Sequence, residues 1–177
     1  MPAPLPPLGH AALKDRHRAL REGHPPELTL RLHRALSWIA RAEAETEDPD
    51  ARFVFLWIAF NAAYAHDADD PAEHSERGAF GAYFDRLVAR DAGHRIYDAI
   101  WRRFPQEIRG FLANRYVFPP FWAWQNGRGG AGWEETFEAR RRRAHRALER
   151  RETEVILSLL FDGLYTLRNQ LLHGGAT

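Results

Sequence analysis

The run Leu167-Arg168-Asn169-Gln170-Leu171-Leu172-His173-Gly174-Gly175 gathers an arginine, a carboxamide and a histidine where an apolar helix runs out. Together those residue types can cut RNA. Histidine gives or takes a proton near neutral pH, because its unperturbed pKa is about 6.5. Arginine holds a planar, permanent charge that matches phosphoryl oxygens and stabilises negative charge as it grows in a transition state. On a helix advancing about 100° per residue, Asn169 and His173 lie about 40° apart, and Arg168 lies about 140° round from His173. One copy therefore presents an incomplete cluster, and a second copy packed antiparallel across a two-fold axis would supply another Arg-His pair to a shared cleft. Gly174 and Gly175 read as a helix C-cap, which sets His173 in a last turn whose negative dipole end favours imidazolium, as a general acid needs. A plainer reading stands beside this one. Arginine and histidine are common in a final turn simply because they complement the dipole, with Leu171 and Leu172 as ordinary core.

The elements that must position this cluster read as helices almost throughout. The spacing predicts a short helix over 11–21, closed by Gly23 and Pro25-Pro26, and an amphipathic one over 27–45 carrying Leu28, Leu32, Ala35, Leu36 and Ile39. Asp48-Pro49-Asp50 supplies an acidic N-cap and a proline near N1 for a helix to 65. That helix is apolar on nearly all sides and reads as the central, most buried one, in which Asn61 needs a hydrogen-bond partner. A polar loop over 66–76 holds His66, Asp67, Asp69, Asp70 and His74 at spacings that match no calcium or zinc pattern, so no metal site is expected. Helices follow over 77–90 and 94–117, separated by Asp91-Ala92-Gly93, with Phe80, Phe84, Leu87 and Val88, then Ile96, Ile100, Trp101, Phe104, Ile108 and Phe111 on their apolar sides. From Trp133 the chain is helical to His173, with a break over 151–153. The last piece carries Ile156, Leu157, Leu159, Leu160, Leu164, Leu167, Leu171 and Leu172, more apolar surface than one stripe requires, so part of it reads as a dimer face.

Between these elements lies an irregular aromatic stretch over 118–130. Trp122 and Trp124, beside arginines, either stack unpaired bases or fold over the end of a bundle as a cap. Arg140-Arg141-Arg142-Arg143, followed by Arg146, Arg150 and Arg151, is a concentration able to track a phosphate backbone, with Arg140, Arg141 and Arg143 as candidate substrate contacts. Interleaved glutamates make a solvated face with local ion pairs the competing reading.

Composition bounds the rest. The 177 residues contain no long internal linker, so one domain is expected over 10–177 behind a disordered Pro-rich head over 1–9. The absence of cysteine excludes disulfides, thiolate metal sites and a cysteine nucleophile, and fits a reducing cytoplasm. Met1 to Pro7 has neither the basic nor the apolar region of a signal peptide, and the apolar run over 53–65 falls short of the roughly 20 residues of a membrane helix. Charge is balanced, with 25 basic and 24 acidic side chains, and Lys14 is the only basic residue that is not arginine. No Walker loop, dinucleotide-binding glycine pattern or His-Glu-x-x-His occurs, so no cofactor is expected.

Two blocks, in order, carry a family resemblance. Phe55-Leu56-Trp57-Ile58-Ala59-Phe60-Asn61-Ala62-Ala63-Tyr64 is similar to the early-helix signature of Apea-like HEPN proteins, and Tyr165 to Gly174, with Arg-Asn-x-x-x-His inside it, resembles their R-x4–6-H motif helix. The likeness spans about 28–177. It implies an all-α HEPN-like bundle of about five to seven helices. Such proteins are usually dimeric, and many are metal-independent endoribonucleases of toxin-antitoxin or anti-phage systems, with RNA and a cognate antitoxin as partners. Carried onto these positions, Arg168 would bind the scissile phosphate, His173 would act as acid or base, and Asn169 would position. The family's nucleotidylated tyrosine, two positions after the histidine, is Gly175 here, so that control is not expected. The chain also stops shortly after His173, where such proteins continue into further helical sequence, and reads as shortened at its carboxyl end. The competing functional readings are a non-catalytic helical module binding RNA or a partner protein through the arginine-rich helix and the aromatic stretch, and a purely structural dimerisation domain.

Overall fold

Asp48 shows how local chemistry starts these helices. Its carboxylate accepts from the backbone N–H groups of Asp50 (2.9 Å) and Ala51 (3.0 Å), filling two of the donors a helix start leaves open, as the Asp-Pro-Asp sequence predicts. The computed structural model describes residues 9–64 and 76–173, which are all-α. The head before Gly9, the acidic loop with its histidines, the Phe80 side chain and the Gly174-Gly175 cap lie outside the described residues.

The chain forms two compact units, Met1–Pro71 and Ala72–Thr177. In the first, α1 (His10–Leu20) leads through a 3-10 turn into α2 (Pro26–Ala44), which forms a helical hairpin with α3 (Pro49–Tyr64). Trp38 of α2 stacks on Phe55 of α3, ring centres 5.8 Å apart. Gly9 has no side chain to cap α1, and Glu43 of α2 does so instead, its Oε1 accepting from the His10 N–H at 2.6 Å. The expectation that α3 is the most buried helix is overturned. It buries Trp57 and Ala59 and leaves Leu56 45% exposed, since α2 packs along one side of a helix that is apolar all round.

The most buried helix is α9 (Thr153–His173), in the second unit, which buries Thr153, Ile156, Leu157, Leu159, Gly163 and Thr166. Against it pack α4 (Glu76–Ala89), α6 (Pro105–Leu112), α8 (Trp133–Arg150) and a 3-10 turn over Arg115–Val117. Phe84 of α4 meets Phe161 of α9 at 4.7 Å between rings. The buried positions on α9 recur at three and four residues, the helical core period. At Gly163 that face carries no side chain. A Cβ there would lie 2.6 Å from Phe111 Cε1 and 3.3 Å from Val117 Cγ2, so glycine is what lets α6 and the 3-10 turn come this close.

Among the described residues there are nine α-helices, more than the five to seven expected, and the excess arises between residues 94 and 130. The single helix expected over 94–117 is instead α5 (Arg95–Asp98), a π-helical turn over Ala99–Arg103, α6 and the 3-10 turn. Pro105 is the cause, because its ring and missing N–H forbid a helix running through it. The chain breaks at Phe104, whose N–H reaches back to Ala99 O at 3.0 Å, and restarts with the proline in the first turn of α6. Likewise Pro119 and Pro120 begin α7 (Pro119–Gln125) inside the stretch expected to be irregular. The break at Asp91-Ala92-Gly93 is where the sequence puts it, and the Asp91 carboxylate caps α5 by accepting from the N–H groups of Arg95 (2.8 Å), Ile96 (2.8 Å) and Tyr97 (3.2 Å).

Two stability measurements follow from this packing. Asp91→Ala removes the acceptor for three N–H groups and is expected to cost about 1–2 kcal/mol in chemical denaturation. Gly163→Leu overfills the contact with Phe111 and Val117 and is expected to cost about 1–3 kcal/mol, while Gly163→Ala costs less because alanine regains about 1 kcal/mol of helix propensity.

Candidate functional site

Continuing the core period of α9 beyond Thr166 leads to Gln170, so Asn169 falls beside that face and Arg168 on the side away from it, and both are half-buried. The Arg168 guanidinium donates from Nη1 to Asn169 Oδ1 at 2.7 Å and stands over the Tyr165 ring, 5.6 Å from its centre. One hydrogen bond and one ring thus hold the charge in place while its other N–H groups remain to meet an anion. His173 is exposed in the last described turn. Five residues from Arg168, it stands about 7.5 Å further along the axis and about 140° round it. A single α9 therefore pairs arginine with amide and presents histidine apart from the guanidinium.

The arginine-rich helix divides between two tasks. On α8 the buried face runs through Trp133, Phe137, Ala144 and Ala147 at four- and three-residue spacing, and Arg140 falls in that row. It donates from Nη2 to the Leu159 carbonyl on α9 at 3.0 Å and lies 5.7 Å from the centre of the Phe118 ring. Arg140 therefore ties α8 to α9. Arg141, Arg142 and Arg143 are exposed. Arg141 pairs with Glu138 at 2.7 Å, and with Arg142, Arg109 and His145 it lines a groove of about 510 Å³ between α6 and α8, floored by Leu112, Ala144 and Leu148. His145 Nδ1 lies 3.4 Å from Glu149 Oε1 on the same helix face. Arg109 and His145 entered no sequence-based site, because the groove joins α6 to α8 across more than thirty residues of chain.

The two tryptophans also separate. Phe118, Phe121, Trp133 and Phe137 form a buried aromatic cluster against which Trp122 packs, so most of the aromatic stretch folds inward. Trp122 Nε1 donates to the Tyr116 carbonyl at 2.7 Å, which fixes the indole. Trp124 is 42% exposed, with its ring 5.7 Å from that of Trp133.

A smaller pocket of about 230 Å³ brings together two residues singled out from sequence, Trp122 and Asn169. Pro119, Ala123, Asn126 and Arg128 line it from α7 and the turn after it, and Thr166 and Gln170 line it from α9. Backbone bonds hold that turn: Asn126 N to Trp122 O at 3.0 Å, Gly127 N to Trp124 O at 3.0 Å and Arg128 N to Ala123 O at 2.8 Å. Gly127 takes φ +67°, and a Cβ on Gly129 would approach Trp124 N to 3.0 Å, so both glycines are required by the turn. Asn126 and Arg128 belong to the stretch that the sequence sets beside Trp122 and Trp124, and only tertiary packing brings them to α9. Gln170 lay inside the motif, and its neighbours hid it.

Arg140→Ala is expected to cost about 1–3 kcal/mol, since it strips a packed guanidinium from a carbonyl and a ring, whereas exposed Arg142→Ala stays within about 0.5 kcal/mol. Urea midpoints of the two variants check this. Comparison of the chain with protein-family models, curated proteins and solved structures gives no match, so the meaning of the Arg168, Asn169 and His173 cluster rests on its own chemistry and on the motif resemblance.

Proposed function

We propose that this protein is a metal-independent endoribonuclease of the HEPN type, acting as a homodimer in which two copies of α9 face one cleft. The observation that carries the reading is the arrangement at the end of α9: a guanidinium held by Asn169 at 2.7 Å, followed by an exposed histidine on the same helix. The 2′-hydroxyl of the substrate attacks the adjacent phosphorus, and the bond from phosphorus to the 5′ oxygen breaks. One histidine takes the hydroxyl proton and the histidine of the second copy gives a proton to the leaving oxygen, leaving 2′,3′-cyclic phosphate and 5′-hydroxyl ends. Arg168 binds the scissile phosphate and stabilises the charge that grows on it. Asn169 keeps the guanidinium in position. The 140° between Arg168 and His173 on one helix is what a second copy overcomes, since each subunit's arginine then meets its partner's histidine.

A second reading, a non-catalytic module that binds RNA or a partner protein, is favoured by the groove of Arg109, Arg141, Arg142 and His145, which lies on α6 and α8. It requires binding without turnover, weakened by substitution of Arg141 and Arg142.

The deciding experiment incubates the purified chain with mixed RNA in excess EDTA, beside Arg168→Ala and His173→Ala, each checked for helical content. The parent is expected to leave 2′,3′-cyclic phosphate ends, and each variant to lose about 100-fold or more in rate. Equal cleavage by parent and both variants sinks the assignment. A folded parent that binds RNA without cutting it supports the module.

A further inference from the structure

We propose that the pocket between α7 and α9 receives one unpaired purine base of the RNA, next to the phosphate held by Arg168. The choice of RNA rests on the endoribonuclease reading, and the pocket's own features argue for the base. Its volume of about 230 Å³ lies below the roughly 300 Å³ at which pockets for drug-sized ligands begin, so it suits a small flat group. The indole of Trp122 forms part of its wall, and an aromatic side chain is the usual platform for an unstacked base.

The hydrogen-bonding groups narrow the ligand further. Asn126, Asn169 and Gln170 bring three carboxamides, each able to donate and to accept, and Arg128 brings donors alone. Carboxamides match the adenine N6/N7 edge and arginine the guanine O6/N7 edge, so both residue types present here suit a purine. The lining holds a cation and no carboxylate, which fits a base attached to a phosphate rather than a metal ion or an amine. Asn169 belongs both to this lining and to the Arg168 pair, at 2.7 Å, so a base in the pocket puts its own phosphate close to the guanidinium.

The site is also built before any ligand arrives. Trp122 is fixed by its bond to Tyr116 O, and Arg128 is fixed at its backbone by the 2.8 Å bond to Ala123 O in a turn that needs glycine at 127 and 129. A fixed ring and a fixed backbone turn lower the ordering cost of binding a base here.

The test measures binding rather than cutting. In EDTA, with the His173→Ala protein so that RNA stays intact, fluorescence anisotropy compares a labelled octauridylate with the same octamer carrying one central adenine or guanine. The purine is expected to tighten binding about tenfold, and Asn126→Ala and Gln170→Ala to erase that gain, bringing the purine octamers down to the affinity of the octauridylate on the same variant. Equal affinity for all the oligonucleotides, or a purine preference that survives both substitutions, overturns the proposal. Adenosine monophosphate that competes as well as the adenine octamer overturns the RNA assignment and makes the pocket a mononucleotide site. The two readings fail separately. A purine preference in a chain whose parent form cuts nothing keeps the pocket and rejects the nuclease, and cutting without any base preference does the reverse.

Discussion

The contact at Gly163 governs how the carboxyl-terminal unit is assembled. Helix α9 is the surface on which α4, α6, α8 and the Arg115–Val117 turn are registered, and α6 and the turn approach it as closely as they do because position 163 has no Cβ. Glycine in a helix costs about 1 kcal/mol relative to alanine. The closer approach offsets that by burying Ile108, Leu112 and Val117. Because the same helix carries Arg168 and Asn169 about one and a half turns further on, the core that fixes α9 also fixes where they stand.

Arginine serves this protein in two physically different ways. Arg140, Arg115 and Arg168 lie over aromatic rings, and Arg140 also bonds a backbone carbonyl of the neighbouring helix. A guanidinium can do this because it is planar and weakly hydrated, so it gives up little on leaving water. Others, such as Arg141 to Arg143, keep their charge in solvent. A count of basic residues along α8 therefore overstates the polyanion surface. The row through Trp133, Phe137, Arg140 and Ala144 shows that the helical period, not charge density, decides which arginine faces out.

Much of the fold was legible in the sequence. Hydrophobic period and capping chemistry placed α1, α2, α3, α4, α8 and α9 to within a residue or two, and Asp48 capped the helix its sequence announced. The region of α5 to α7 was not legible, for one reason acting twice. Proline both forbids a helix from passing through it and suits the first turn of a new one. Pro105 falls inside the helix that the hydrophobic pattern predicts and Pro119-Pro120 inside the predicted irregular stretch, yet both begin helices. The limited burial of α3 is not legible, because an apolar circumference records what a helix tolerates, not which neighbours reach it. At the candidate site, Arg168, Asn169 and His173 were readable because one helix carries them. Asn126, Arg128, Arg109 and His145 were not, because no local spacing links the turn after α7 to α9, or α6 to α8.

The three residues of the α9 cluster are held to different degrees, and this bears on how such a site would work. Arg168 is tied by Asn169 and by the Tyr165 ring, on a stretch whose neighbour Thr166 is only 3% exposed. His173 lies about two turns beyond the last buried residue, Thr166, and beside Leu172, which is 52% exposed. In a helix the last carbonyls lack intrahelical partners, so the final turn is the part least held by its own backbone. A fixed cation and a less constrained imidazole suit opposite needs: the charge must stand ready where the phosphate binds, and the proton carrier must meet an oxygen whose position the substrate determines. In the proposed dimer, the exposed leucine beside that histidine would give a second copy of α9 apolar surface to cover at the point where its own arginine would be required.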